Sequence, residues 1–450
     1  MNVNNLNRLN SIAENKSVQP IKNNVFPQNK LNNTLTNSDI FAIKKSESVP
    51  FKNHDDLNEQ KYLEEMSKLS LKMSDMPDVK TLPDFKTTPL RVGIAVEQKQ
   101  ATFYIPNGTL FVEDQNGKKE IGSFNNTNFT IKNDNNSLVL SKEDGSVVGI
   151  YKGKLSVEGN LSPIAINGKK YRGQMEVIID PKNTTNLSVI NDVLLEDYLK
   201  GVVPSESPAS WPIESLKAQA VAARTYAVGN WKRRESLGFD LMSTTADQMY
   251  TGLSAEQASS TQAVTETTNQ IITFNGKAIN ALFFSCSGGF TDSAKEVWNT
   301  DEYPYIQGVA DFDQNAPKYK WDKTFTNNDL QKGLSQLGFD IGEIKEIKPI
   351  DFTEHKRVKT IEFTGTKGKA TVDSNKFRFA VGLPSTLWEA SPAKASSVLN
   401  RSPKEFNFKG GGWGHGLGMS QWGAKQMSEN GKTYDQILKY YYTGIELSKL

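Results

Sequence analysis

VVPSESPASWPIESLKAQAVAARTYA, residues 202–227, sets one glutamate between two prolines, directly ahead of a helix built largely from alanine. Pro204 and Pro208 fix their own φ and push the residues before them toward extended geometry, which predicts Glu206 on a stiff turn. Ser205 and Ser207 flank it as local hydrogen-bonding groups. Ser210 is the expected cap of the following helix, with Pro212 in the first turn, where its missing N–H costs nothing. Leu216, Ala220, Ala223 and Ala227 then share one face, where alanine keeps helix propensity high and lets another backbone come close. A carboxylate at the mouth of a tightly packed helix is what positioned acid–base chemistry requires. A loop carboxylate that merely partners a cation is the plain alternative. Glu196, Asp197 and Glu214 are weaker candidates: the first two fit helix-surface positions, and Glu214 near a helix start is accounted for by the helix dipole.

Two further features lie close in sequence. Arg224 sits among small residues with no acidic neighbour, and a buried arginine needs a partner; Glu206, Asp247 or a backbone carbonyl are the choices, in a structural role. ADQMYTG (246–252) supplies Asp247, Gln248 and Tyr250 in a compact polar segment that either lines a sugar cleft or turns the chain.

A second run, GGGWGHGLGMSQWGA (410–424), crowds glycines where backbones must approach closely. Trp413, His415, Met419 and Trp422 interleave with them, and aromatic faces suit stacking on sugar rings as well as ordinary core packing. The glycine neighbours leave His415 little packing purpose, which raises it as a functional candidate. Ser420 and Gln421 begin the next helix, Ser420 in the position of a cap. In FFSCSGGFTDS, Cys286 ends a strand and Ser287 enters a turn, with nothing local to lower the thiol pKa, so a cysteine hydrolase is not favoured. No GxSxG elbow is present. The histidines are His54, His355 and His415, and neither HExxH, CxxC nor EF-hand spacing occurs, so no metal and no cofactor is expected.

The 450 residues allow one large domain or two to three ordinary ones, with 37% hydrophobic and 23% charged residues. A formal charge of +2 argues for no nucleic acid partner. A single cysteine excludes an intrachain disulfide. The opening residues lack the apolar core of a secretory leader, and no stretch approaches the roughly 18 apolar residues of a membrane span. Residues 1–90 contain no glycine and no tryptophan. Such composition predicts disorder for 1–55, one helix at 57–73 resting on the body, and an extended connector marked by Pro77, Pro83 and Pro89. From 91 to 190, short β-rich runs alternate with Asn-Gly, Asn-Asn and Asp-Gly turns, as in a meander or small sandwich. From 191 to 450 both periods occur, and the fold class expected is α+β rather than a doubly wound sheet.

These motifs, in this order, resemble the stage II sporulation protein D and LytB domain family. The pieces that carry the resemblance are LLEDYLKGVVPSESPASWPIESLKAQAVAARTYA, ADQMYTG, LFFSCSGGFTDSAKEVW, FRFAVGLPSTLW and GGGWGHGLGMSQWGAKQMSENGKTYDQILKYYYTG. They span residues 165–445, with a weaker likeness reaching toward 91. The resemblance implies an α+β fold with a substrate cleft and puts the family's catalytic glutamate at Glu206. It implies a lytic transglycosylase that cuts the β-1,4 bond between N-acetylmuramic acid and N-acetylglucosamine in peptide-free glycan strands, leaving 1,6-anhydromuramic ends. The alternative it carries is a wall-binding enhancer of an N-acetylmuramoyl-L-alanine amidase, which would not need Glu206. Ser205, Arg224, Asp247, Gln248, Tyr250, Ser287, Trp413, His415, Ser420 and Gln421 are then the expected substrate-binding or supporting residues, with Gln248, Tyr250 and His415 as sugar contacts or charge stabilisers. An extracytoplasmic, wall- or envelope-associated location follows, with glycan strands and a wall amidase or peptidase as partners. Many members carry a histidine just before the Ser/Thr–Cys–Gly–Gly turn, and some clostridial ones bind zinc in that region. Phe283, Phe284 and Ser285 stand there in this chain, so zinc is not expected.

Overall fold

Asn135 and Asn136, both at positive φ, join the strands Gly117–Asp134 and Ser137–Lys142 through a two-residue turn whose twist matches that of the strands. Asn167–Gly168 and Asn275–Gly276 make the same kind of turn elsewhere. In this computed structural model residues 73–393 and 402–450 are described. The tail expected at 1–55 and all but the last residue of the helix expected at 57–73 lie outside them.

Eleven strands between Leu90 and Met242 form one sheet, antiparallel except where Leu241–Met242 runs parallel to Leu90–Gln98. The strand Gln100–Asp114 alternates outward residues with buried Ala101, Phe103, Ile105 and Leu110, the period-two pattern of a sheet with one face on a core. Two runs expected as separate, ATFYIPNG and TLFVED, are this one strand. Pro106 and Gly108 do not break it, because the strand passes there from pairing with Ile164–Ile166 to pairing with Lys154–Gly159. Opposite Pro106 the ladder also skips Asn126, which takes a positive φ of 48°.

The alanine-rich helix Ile213–Gly229 is almost wholly buried, as is every one of its residues from Ala218 onward. Small side chains let the helices Leu195–Glu206, Ala258–Glu266, Gln421–Glu429 and Tyr434–Tyr441 and the strand Gln270–Phe274 pack around it. Its N-cap is Pro212 without a side-chain bond, not Ser210; Ser215 Oγ donates back to the Pro212 carbonyl instead. The chain's last strand, Glu446–Lys449, pairs with Gln270–Phe274 and closes the structure against this helix.

A second core lies between Trp321 and Phe408, built on two three-stranded sheets and the helices Asn327–Gln336 and Ser374–Val381. The segment 307–312 contributes only an isolated bridge from Ala310 to Phe290. The architecture is mixed α+β. Among the described residues no helix is long and apolar enough to cross a membrane.

Candidate active site

Glu206 is the last residue of the helix Leu195–Glu206, not a turn residue. The helix runs through Pro204 because its apolar face, including Leu199, Val202 and Val203, is already buried, and packing outweighs the proline's local preference. Ser205 Oγ donates to the Gly201 carbonyl (2.7 Å) and lies 2.8 Å from Thr251 Oγ1, tying the last turn to the ADQMYTG segment. Ser207 then leaves the helix in extended geometry. Gly201 has a packing reason: a Cβ there would stand 2.6 Å from the Tyr250 ring.

The Glu206 carboxyl is held by two segments remote in sequence. Met249 N–H donates to Oε1 at 2.7 Å. Gln421 Nε2, at the start of the helix Gln421–Glu429, lies 3.5 Å from Oε2. The two stretches with which the sequence reading began therefore meet at this carboxyl. Glu206 is half-buried, and loss of water around its oxygens pushes the pKa up to about 7 against the two hydrogen bonds, which lower it. No cation neutralises it within salt-bridge distance in the described residues, so near neutral pH it is populated both as acid and as base. Concavities beside Leu194 to Asp197 and Asn269, and beside Gln331 to Gly342, do not include Glu206.

Gln248 and Tyr250 lie behind this carboxyl, not at its mouth. Gln248 is fully buried, accepts from Tyr198 O–H at 3.2 Å and donates to the Ala223 carbonyl at 3.3 Å. Tyr250 packs between Tyr171 and Tyr198 and donates to Asn191 Oδ1 at 2.9 Å. Their polar atoms are used by protein, which corrects the expectation of sugar contacts. Asp247 is a buried anchor that accepts from Arg234 Nε (2.6 Å), Met242 N–H (2.7 Å) and Tyr226 O–H (3.1 Å), and so aims Met249.

Arg224 pairs with none of the partners foreseen among the acids. Its fully buried guanidinium clasps Glu196 at 2.8 and 2.7 Å and donates to the carbonyls of Gln270 and Val264. Glu196, read as a surface residue, thus locks the helix that ends in Glu206 onto the central helix.

His415 is also redirected. Its Nε2 lies 3.1 Å from the Phe283 carbonyl, Nδ1 accepts from Leu417 N–H at 3.1 Å, and Phe284 packs on the ring. Burial, with Arg378 and Arg357 near, pushes its pKa down to about 3, so it is a neutral loop-former rather than a charge stabiliser. Ser420 caps its helix by accepting from Gly423 N–H. Ser287 is buried against Asp313 Oδ2 at 3.2 Å. Cys286 is buried, pairs backbone with Trp413, and has its thiol pushed up to about 12, which leaves it inert as a nucleophile at neutral pH. Trp413 itself is exposed beside Lys318 Nζ, 5.5 Å from its ring.

Two features escaped the sequence reading: the pairing of Trp422, already a stacking candidate, with Trp211, and the buried Gln219. Trp211 and Trp422, each next to a piece of the site, meet edge to face with centroids 5.1 Å apart and both remain half-exposed. Gln219, buried in the central helix, accepts from Gln421 Nε2 and from Ser207 Oγ, each at 3.3 Å. Its polar character inside an alanine-rich helix was the available signal. Among the described residues no group of three or more histidine, cysteine or acidic side chains is arranged to hold a metal ion.

A mixed fold in which the helix Leu195–Glu206, packed on the central alanine-rich helix, ends in a half-buried acid is the arrangement to which known proteins can be compared. A family model described as Stage II sporulation protein matches residues 183–274, and a domain of unknown function matches 310–418. The chain is 35% identical over 289 residues to stage II sporulation protein D of Bacillus subtilis, covering 61% of this chain and 79% of that protein. It is 34% identical over 325 residues to an uncharacterized protein of Brachyspira hyodysenteriae, covering 71% of this chain and 83% of the relative. It is 30% identical over 408 residues to the amidase enhancer of Bacillus subtilis, covering 81% of this chain but 54% of that longer protein. The chain belongs to the stage II sporulation protein D family.

Proposed function

We propose that this protein is a peptidoglycan lytic transglycosylase in which Glu206 acts first as acid and then as base. The observation that carries the reading is a half-buried carboxyl whose pKa is pushed up to about 7, with one oxygen held by Met249 N–H. Such a group gives its proton to the glycosidic oxygen between N-acetylmuramic acid and N-acetylglucosamine as the C1–O bond breaks. The carboxylate left behind takes the proton of the muramyl C6 hydroxyl as that oxygen bonds to C1. The product ends in 1,6-anhydromuramic acid, no water is consumed, and Glu206 is returned protonated. A separate nucleophile or base, as two-carboxylate hydrolysis needs, has no part in this scheme. Trp211 and Trp422 offer apolar faces for the sugar rings, and Trp413 with Lys318 extends the same kind of surface. Glycan strands are thus the proposed partner, and the cell wall or envelope the proposed location.

A second reading is favoured by the relative named amidase enhancer: a protein that binds glycan and stimulates a wall amidase. It would retain the tryptophans and dispense with Glu206. Mass spectrometry of purified, peptide-free glycan digested by wild type and by Glu206→Gln separates the two. Anhydromuramyl ends from wild type, reduced about 10²–10⁴-fold in the variant, are expected. Equal digestion by both proteins would overturn the assignment, and peptide release only upon adding an amidase would establish the enhancer.

A further inference from the structure

Glu206 is joined to the protein interior by a line of three uncharged side chains. Gln421 Nε2 faces Glu206 Oε2 at 3.5 Å and Gln219 Oε1 at 3.3 Å, and Gln219 Oε1 also receives Ser207 O–H at 3.3 Å. Gln421 Nε2 is the donor to both of its neighbours, the Glu206 carboxyl and the Gln219 carbonyl, and the Gln219 carbonyl is the acceptor from both Gln421 and Ser207. Because Gln219 presents a carbonyl, Gln421 must present an N–H to it, and that choice fixes which atom Gln421 offers to the carboxyl. Gln219 Nε2, meanwhile, is buried without an acceptor, an uncommon condition for an amide that is 1% exposed.

A second arrangement of the same atoms satisfies that group. If both amides turn over, Gln219 Nε2 donates to Gln421 Oε1 and to Ser207 Oγ, and Gln421 Oε1 accepts from a protonated Glu206. Ser207 permits this because a hydroxyl both donates and accepts. One polarity of the line suits the carboxylate and the other suits the acid.

We propose that Gln219 is a positioning residue whose amide turns together with that of Gln421, so that the pair offers a donor to ionised Glu206 and an acceptor to protonated Glu206. The inference rests on Glu206 being the acid–base group of the proposed reaction, and adds how the site follows its change of charge between the two steps. The surrounding ionisable groups do not supply that adjustment. Tyr198, beneath the carboxyl, is kept neutral by burial; Asp247 is committed to Arg234; Glu214 and Lys217 pair with each other on the helix of Gln219; Lys425 pairs with Glu429 on the helix of Gln421.

Two measurements test it. In wild type with labelled glutamine side chains, the amide resonances of Gln219 and Gln421 should titrate with one shared midpoint, which disappears in Glu206→Gln. In Gln219→Met, which keeps length but removes both polar atoms, the donor is no longer held on the carboxylate. The basic limb of the cleavage rate should then move to higher pH by roughly half a unit to one unit. Loss of rate without movement of the limb would reduce Gln219 to a packing role and overturn the proposal, as would amide resonances indifferent to pH in wild type. Coupled amide titration in a protein that leaves no anhydromuramyl ends would uphold this inference while sinking the proposed activity. Cleavage dependent on Glu206 with unresponsive amides would do the reverse.

Discussion

Two acids on one helix, ten residues apart, meet opposite fates. Glu196 at its start is clasped by both ends of the Arg224 guanidinium, and Arg224 is further bound to two carbonyls. Glu206 at its end has amide donors and, among the described residues, no cation within salt-bridge distance. A carboxylate matched in charge and geometry becomes scaffold. One stripped of water and left without a counter-charge is pushed up toward neutral pH, as the proposed acid–base role requires.

The largest effect that could break this contrast is on rate. Glu206→Gln should lower glycan cleavage about 10²–10⁴-fold, whereas Glu196→Gln should leave the pH profile of cleavage in place, read on the same substrate. Next comes stability. Arg224→Met removes the cation paired with Glu196 and the guanidinium donors to two carbonyls, and should cost about 3 kcal/mol in denaturant unfolding. A cost below about 1 kcal/mol would mean that the buried clasp is not what holds the two helices together.

A smaller effect has the opposite sign. Burial pushes the Glu206 carboxyl up to about 7 in the folded chain, from its ordinary value of 4.5 when unfolded. The folded state therefore prefers the acid: its advantage is complete below the unfolded pKa, falls as pH rises through the interval, and is gone above the folded pKa. Glu206→Gln should accordingly be more stable than wild type by about 1–3 kcal/mol at alkaline pH, and the difference should narrow to zero below about pH 4. A variant no more stable at alkaline pH would show that the carboxyl is well hydrated. Smallest is the aromatic pair: Trp422→Ala should weaken binding of glycan fragments roughly tenfold, measured by calorimetry, with the basic limb of the rate unmoved.

What could be seen in advance was local. Asn-Asn and Asn-Gly pairs announced their turns, alanine spacing announced a helix that other helices could approach, and a glutamate in a proline frame announced itself as unusual. The resemblance, carried by motif order, joined the two distant stretches. Hidden were the facts decided by packing. Pro204 was read as a breaker because its local preference is visible and the burial of Val202 and Val203 is not. Pro349 likewise hides the strand Ile344–Phe352, which tolerates it at the edge of its sheet. The Arg224–Glu196 pair bridges 28 positions and two helices, a spacing that no single-helix rule reports. His415 was expected to contact sugar or stabilise charge, and Gln219 drew no attention; only their hydrogen-bond partners show that the first shapes a loop and the second reaches the carboxyl's neighbour.

The carboxyl's setting is gathered from residues 206, 249 and 421, the last of them 215 positions further along the chain. A ribosome must therefore finish most of the polypeptide before its earliest contributor acquires the neighbours that hold its second oxygen. For a protein proposed to cut the cell's own wall, that order of events is a built-in delay: a nascent or clipped chain lacking its closing segment is left without the complete blade.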